Sequence, residues 1–198
     1  MKILGIVGSM RKNRNTTILA ERVITEIEAL NQSTSSQILY TADLQIRPCR
    51  VVCSSHCIKH PYRCSLDDDL SAVLEQMIRA DILILGAPLY FRAPPAQFQA
   101  FAERLVSIFF FQETRGGGNS KSPLLGKPCG LIGVAEYSNP HGILEYLHDF
   151  STVLGMRPVL LDSFPYLGVA GRGEIEKDTT FQPLERAKEL AAAITDRL

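Results

Sequence analysis

Two stretches of this chain hold residue types dense enough in chemistry to define a site. The first is Ser9-Met10-Arg11-Lys12-Asn13-Arg14-Asn15-Thr16-Thr17, entered from Gly8. Its hydroxyls and amides are hydrogen-bond donors, and Arg11 adds a cation with fork geometry. The run Lys2-Ile3-Leu4-Gly5-Ile6-Val7 before it reads as a buried parallel strand. An amphipathic helix follows, with Leu19, Val23, Ile27 and Leu30 on one face. A polar loop between a first strand and a first helix is where a phosphate binds, because the first N–H groups of a helix are unpaired and carry partial positive charge. Simple capping by Asn15 or Thr16 would explain one or two of these residues, not Ser9, Arg11, Asn15, Thr16 and Thr17 together. No Gly-Lys-Ser or Gly-Lys-Thr follows Gly8, so this is not a P-loop, and the spaced glycines of a dinucleotide fingerprint are missing. The expected ligand is a phosphate-bearing cofactor.

The second stretch holds Cys49, Cys53, Cys57 and Cys64, four of the five cysteines. Cys129 lies in an apolar strand and reads as core. Without a secretory signal, a tight cluster argues for metal or redox chemistry rather than a disulfide framework. Four thiolates are the ligand set of a [4Fe–4S] cluster. Zinc would accept the same four, or three with His56 or His60, and unligated thiols packed under a flap are the third option. On a straight helix the outer two of Cys49, Cys53 and Cys57 would lie ~12 Å apart along the axis, so a metal requires this segment to be looped.

These residues must be positioned by a scaffold, and the chain provides one of ordinary size. Its 198 residues fit a single domain, 1–198, with a cysteine-rich insertion at about 48–66. The formal net charge is zero, so no bulk attraction to nucleic acid or to an anionic membrane is expected. No run reaches the ~18 apolar residues of a membrane span, and the N-terminal apolar run is too short for a signal peptide. A cytoplasmic protein is expected. Leu105-Val106-Ser107-Ile108-Phe109-Phe110-Phe111 reads as a buried or interfacial helix end.

Strand and helix patterns alternate along the whole chain. Gln37-Ile38-Leu39-Tyr40 is a short second strand, and Leu70, Val73, Leu74, Met77 and Ile78 mark a second helix, with Asp67 to Asp69 favouring its dipole at the start. Ile82-Leu83-Ile84-Leu85-Gly86 is an all-apolar strand of the doubly covered type. Pro94 and Pro95 precede a third helix from about Ala96 to Phe110, and Gly116-Gly117-Gly118-Asn119-Ser120 is a loop. Gly130 to Val134 is a fourth strand, Ile143, Leu147, Phe150 and Leu154 stripe a fourth helix, and Arg157 to Leu161 is a fifth strand. Leu184, Ala187, Ala191, Ile194 and Leu198 stripe a last helix. Five strands alternating with helices mean a parallel sheet wrapped on both faces, which binds ligands at the carboxyl ends of its strands. The loops after strands one, three and four therefore meet. The third of these elements ends in Gly86-Ala87-Pro88-Leu89-Tyr90-Phe91, a turn that exposes backbone amides beside two aromatics. Alone it reads as a core-facing turn; beside a phosphate loop it becomes a site for a flat ring.

Gly8-Ser9-Met10-Arg11-Lys12-Asn13-Arg14-Asn15-Thr16 with Pro88-Leu89-Tyr90-Phe91 resembles the flavodoxin-like NADPH-dependent FMN reductase superfamily. Phe101-Ala102-Glu103-Arg104-Leu105 and Gly155-Met156 add to the likeness, which covers nearly the whole chain. Members often have Pro at the position of Met10, a small residue at Arg14 and Lys at Gln99. The resemblance implies an α/β flavodoxin-like doubly wound sandwich, with a five-stranded parallel sheet of order 2-1-3-4-5 and helices on both faces. It implies FMN, with its phosphate at Ser9, Arg11, Asn15, Thr16 and Thr17. The isoalloxazine ring would lie beside Pro88, Leu89, Tyr90 and Phe91, with Ala135, Glu136 and Tyr137 closing the site.

The four cysteines before Asp67-Asp68-Asp69 resemble the iron–sulfur flavoproteins of that superfamily, which carry a compact cysteine motif between strand two and helix two. Here three residues fill each of the first two gaps, where members typically have two. The branch implies a [4Fe–4S] cluster that couples a one-electron carrier such as ferredoxin to a flavin reducing a small-molecule acceptor. The alternatives are a cluster-free NAD(P)H-dependent FMN or quinone reductase, a non-enzymatic flavodoxin-like electron carrier and a zinc-stapled module without flavin. Family members form dimers and tetramers, and Phe109-Phe110-Phe111 and the cysteine loop are natural interface material. The cofactor would carry the chemistry, so no catalytic residue is assigned, and His141, His148 and Glu136 receive no acid or base role.

Overall fold

A helix between two strands lets the second return to the sheet in parallel, and every strand pairing among the described residues is parallel. A computed structural model describes residues 1–50, 56, 57, 60, 62–105, 107, 108 and 122–198. In chain order the elements are β1 (Lys2–Val7), α1 (Asn15–Leu30), β2 (Ser35–Tyr40), a 3-10 turn (Thr41–Asp43), α2 (Leu70–Arg79) and β3 (Ile82–Pro88). Then follow α3 (Ala96–Arg104), β4 (Pro128–Ala135), α4 (His141–Val153), β5 (Arg157–Pro158), β6 (Val169–Arg172) and α5 (Pro183–Thr195). The sheet runs β2-β1-β3-β4-β5, the doubly wound order expected from the sequence.

Alternation along each strand divides the core in two. Ile3, Val7, Ile82, Ile84 and Ile132 face α1 and α5, packing on Leu19, Val23, Ile27, Leu190 and Ile194. Leu4, Ile6, Leu83 and Leu85 face the other way, onto α2, α3 and α4 through Val73, Phe101 and Leu147. Cys129 is fully buried in this second cluster, as core, and burial pushes its thiol well above the usual range. Leu30 and Leu198, expected on buried stripes, are each 59% exposed because they lie at or past helix ends. Among the described residues no helix is long and apolar enough to cross a membrane.

The fifth strand differs from its sequence reading. Only Arg157 and Pro158 pair with β4, at Pro128 and Cys129. Val159 still donates to the Cys129 carbonyl, but Leu161 donates to the Tyr166 carbonyl and the chain leaves the sheet. It returns as β6, which pairs with Ile132 to Ala135 of the same β4. Gly168 makes that return possible: its φ is +150°, and a Cβ there would sit 2.2 Å from the Leu131 carbonyl oxygen. Gly168→Ala is therefore expected to lower stability by about 2–3 kcal/mol in urea unfolding. A loss within 0.5 kcal/mol, about that of an ordinary surface substitution, would show that the β6 edge adjusts freely.

The third helix is interrupted: its regular part ends at Arg104, Leu105 lies in a turn, and Ser107 and Ile108 are helical again. The Phe109-Phe110-Phe111 run and the Gly116 to Ser120 loop lie outside the described residues.

Candidate functional site

The loop leaving β1 is fixed by its own side chains. Ser9 is buried; its hydroxyl donates to the Arg11 carbonyl and accepts from the Arg11 amide. Asn13 adopts a left-handed φ of 56°, a conformation Asn tolerates. Lys12 turns away from the loop to pair with Asp43 at 2.7 Å and to lie over the Tyr40 ring. Helix α1 then begins with no side-chain cap at all. The capping explanation for Asn15 and Thr16 thus fails, and the first N–H groups of a 16-residue helix are left for a ligand.

Those amides open onto a cavity of about 500 Å³, within the range of small-molecule sites. Ser9, Arg11, Asn15 and Thr16 line it on one side, and Pro88, Leu89, Tyr90, Ala135 and Glu136 line it on the other. The loops after β1, β3 and β4 thus meet at the carboxyl edge of the sheet. Close approach of α1 requires Gly86, where a Cβ would lie 3.0 Å from Thr16 Cγ2. Thr17, Phe91 and Tyr137 are not among the lining residues. Thr17 is fully buried, and its hydroxyl has no hydrogen-bond partner among the described residues. Phe91 is fully exposed and Tyr137 is 91% exposed.

The turn after β3 differs from expectation in its backbone. The Leu89 amide donates to the Val134 carbonyl and the Tyr90 amide to the Ala93 carbonyl, so neither is free for a ligand. The turn is instead a rigid wall tied to β4.

A fourth wall was not legible in the sequence. Gly173, Glu174 and Glu176, just beyond β6, line the cavity with Asn13, Arg14, Ile18 and Val134. The Asn15 side-chain amide donates to the Gly173 carbonyl, and the Gly173 amide donates to the Ala135 carbonyl. Asn15 therefore straps the wall beyond β6 to the start of α1. The only sequence signal was the short run Val169-Ala170-Gly171-Arg172 before Gly173.

The cysteine segment is closed at its base by charge. Asp68 and Asp69 accept from the Arg47 and Gln45 amides, so the acids bind the 45–47 segment and not only the helix start. Arg104, 1% exposed, donates to both Asp68 carboxylate oxygens at 2.7 and 3.1 Å, to the Arg47 carbonyl at 2.8 Å and to Cys64 Sγ at 3.1 Å. Burial pushes the Asp68 carboxyl up, but hydrogen bonds from Arg104, Arg47 and Leu70 and the Arg104 charge outweigh it and hold it below the usual range. Cys57 is buried in a helical turn in which the His60 amide donates to the His56 carbonyl; Cys49 is half-buried. Cys53 lies outside the described residues. Among the described residues no three His, Cys, Asp or Glu side chains come together as a metal-binding group.

Comparison with known proteins agrees with this fold. The family model for NADPH-dependent FMN reductase matches residues 1–165. An iron-sulfur flavoprotein of Methanocaldococcus jannaschii is 27% identical over 87% of this chain and 82% of its own. An FMN-dependent NADH:quinone oxidoreductase of a Bradyrhizobium species is 27% identical over 62% of this chain and 58% of its own. The flavodoxin-type, WrbA-like protein of Agrobacterium tumefaciens shares the fold, with a TM-score of 0.59 at 17% identity over 99% of this chain and 96% of its own. The chain belongs to the NADPH-dependent FMN reductase family and is an FMN-dependent oxidoreductase.

Proposed function

We propose that the cavity holds FMN and that the protein passes electrons from NAD(P)H to a small-molecule acceptor. One observation carries this reading: the uncapped start of α1 and Arg11 open into the same cavity as the Pro88–Tyr90 turn. The residues fit the cofactor by charge and shape. The α1 amides, Arg11 and the Thr16 hydroxyl would hold a phosphate. Pro88, Leu89 and Tyr90 would support a flat ring, with Ala135 and Glu136 opposite. FMN, when bound, supplies the hydride and electron chemistry. The protein's part is to bind, to orient, and to keep one ring face open to the acceptor. No side chain is needed as nucleophile or general base.

A second reading adds a [4Fe–4S] cluster at Cys49, Cys53, Cys57 and Cys64, with ferredoxin as the one-electron partner. The iron–sulfur flavoprotein name of the M. jannaschii relative supports it. The ligands are not assembled among the described residues. A homodimer or homotetramer completes the proposal.

The test is an absorption spectrum of anaerobically purified protein with iron and sulfide assays on the same sample. Flavin bands with about four iron per chain would establish the cluster-bearing form. Flavin bands without iron would leave the cluster-free reductase, and a colourless protein that takes up no added FMN would overturn the flavin assignment.

A further inference from the structure

Asn15 stands where a phosphate ligand is expected, and its side chain is committed elsewhere. It is the first residue of α1, one position past the N-cap, and it lines the cavity. Its carboxamide leaves the helix start and donates to the Gly173 carbonyl, 158 residues along the chain. Chemistry fixes the orientation of that carboxamide, because a carbonyl can only accept and must face Nδ2. Nδ2 therefore lies beside an oxygen with partial negative charge, a poor neighbour for a phosphate. The other branch of the carboxamide, Oδ1, is an acceptor like the phosphate oxygens themselves.

Gly173 joins two elements at once. Its amide donates to the Ala135 carbonyl at the end of β4, at 3.0 Å, while its carbonyl takes the Asn15 bond. Its φ of +59° is a glycine conformation, and a Cβ there would lie 3.6 Å from the Glu136 carbonyl oxygen. The far side of this segment is braced separately. Asp178 accepts from the Arg172, Thr180 and Phe181 amides, and Ile175 is buried in the core. Asn15 thus ties down the cavity side of a wall whose other side is already anchored. Glu174 and Glu176 of that wall line the cavity. Carboxylates repel a phosphate, so the wall suits the uncharged part of a flavin.

We infer that Asn15 is a positioning residue of this chain, which sets the wall from Gly173 to Glu176 against the uncharged part of the cofactor and does not contact the phosphate. The inference rests on the reading of the cavity as an FMN site. It gives Asn15 a different role from the phosphate contact that the sequence resemblance implies.

The experiment titrates FMN, and riboflavin, which lacks the phosphate, into full-length apoprotein of wild type, Asn15→Ala, Asn15→Asp and Arg11→Ala. Asn15→Asp keeps the shape of the side chain and removes the donor. Both Asn15 variants are expected to weaken riboflavin binding about three- to tenfold, the worth of one hydrogen bond. Asn15→Ala should weaken FMN binding by the same factor, so its preference for FMN over riboflavin stays within about twofold of wild type. Arg11→Ala should lower that preference while sparing riboflavin. Hydrogen exchange of the apoprotein gives a readout that needs no flavin. In Asn15→Ala the hydrogen-bonded amides of Arg172, Gly173 and Lys177 should exchange about three- to tenfold faster, with those of β1 unchanged. Loss of FMN affinity with riboflavin binding unchanged would overturn the inference and return Asn15 to the phosphate. Unchanged exchange at those three amides would overturn it too, as would acceleration throughout β1, the mark of a general loss of stability. Wild type that takes FMN but no riboflavin would also overturn it, because the wall would then hold nothing by itself. Wild type that binds neither flavin would overturn the FMN reading on which the inference rests.

Discussion

Arg104→Met should cost about 3–5 kcal/mol of folding free energy at pH 7, read from urea unfolding. The guanidinium is buried, and its partner Asp68 has a side chain only 5% exposed. Removing the cation leaves a carboxylate out of water with only the exposed Arg47 guanidinium, 3.7 Å away, as counter-charge, which is far costlier than losing a surface pair. The pH dependence follows from the sign of the Asp68 shift. In the wild type the folded carboxyl titrates below its ordinary value of 3.8, so it contributes stability above about pH 4. That contribution is lost as pH falls through the depressed folded value. In the variant burial remains while the Arg104 contributions vanish, so the carboxyl moves up. The deficit of the variant is therefore largest where Asp68 is charged and narrows as the medium is acidified below about pH 4. Adding Asp68→Leu to Arg104→Met should restore part of the loss, because the double change removes the stranded charge. A loss under about 1 kcal/mol at pH 7 would place the pair with ordinary surface bridges and overturn the argument.

The role of Arg104 shows where sequence reading stops. Its partners lie 36 and 40 residues away, and an arginine on a helix stripe carries no mark of burial. The acids beside it were legible as a helix start, but two of them bind the 45–47 segment, a pairing that depends on tertiary closure. The regular scaffold was far more legible. Leu19, Val23 and Ile27 recur at helical spacing and all reach full burial, and Ile82 to Leu85 fill both faces of a central strand. The fifth strand misled because Val159-Leu160-Leu161 is apolar, whereas the chain turns back on itself after Val159, with the Leu161 amide donating to the Tyr166 carbonyl and not to β4. The phosphate loop and the Pro88 turn come together as their strand positions required. What could not be read was which polar groups stay available. The Leu89 and Tyr90 amides, the Ser9 hydroxyl and the Asn15 amide are all engaged by the protein itself.

That distinction sharpens the prediction for FMN. Arg11→Ala combined with Thr16→Val should weaken FMN binding by about 2–4 kcal/mol, roughly 30- to 1,000-fold, measured by quenching of flavin fluorescence on titration into apoprotein. Arg11 supplies a charge-assisted contact and Thr16 a hydroxyl, both from the cavity wall. Neither residue holds the fold together by a long-range ion pair, and Val keeps the shape of Thr16 against Gly86. Part of the loss should grow less distinct at high salt, since the Arg11 contribution is screened. Thr17→Val is the internal control. Its hydroxyl is buried, away from the cavity and unpaired among the described residues, so replacing it relieves an unsatisfied donor and should leave stability equal or higher. FMN affinity in that variant should stay within about twofold, a change below about 0.5 kcal/mol. Equal losses from Thr16→Val and Thr17→Val would mean that α1 rotates on loading and presents both hydroxyls. No loss from the Arg11 and Thr16 double variant would move the phosphate away from the start of α1, and the ring wall would then have to account for binding without its anchor.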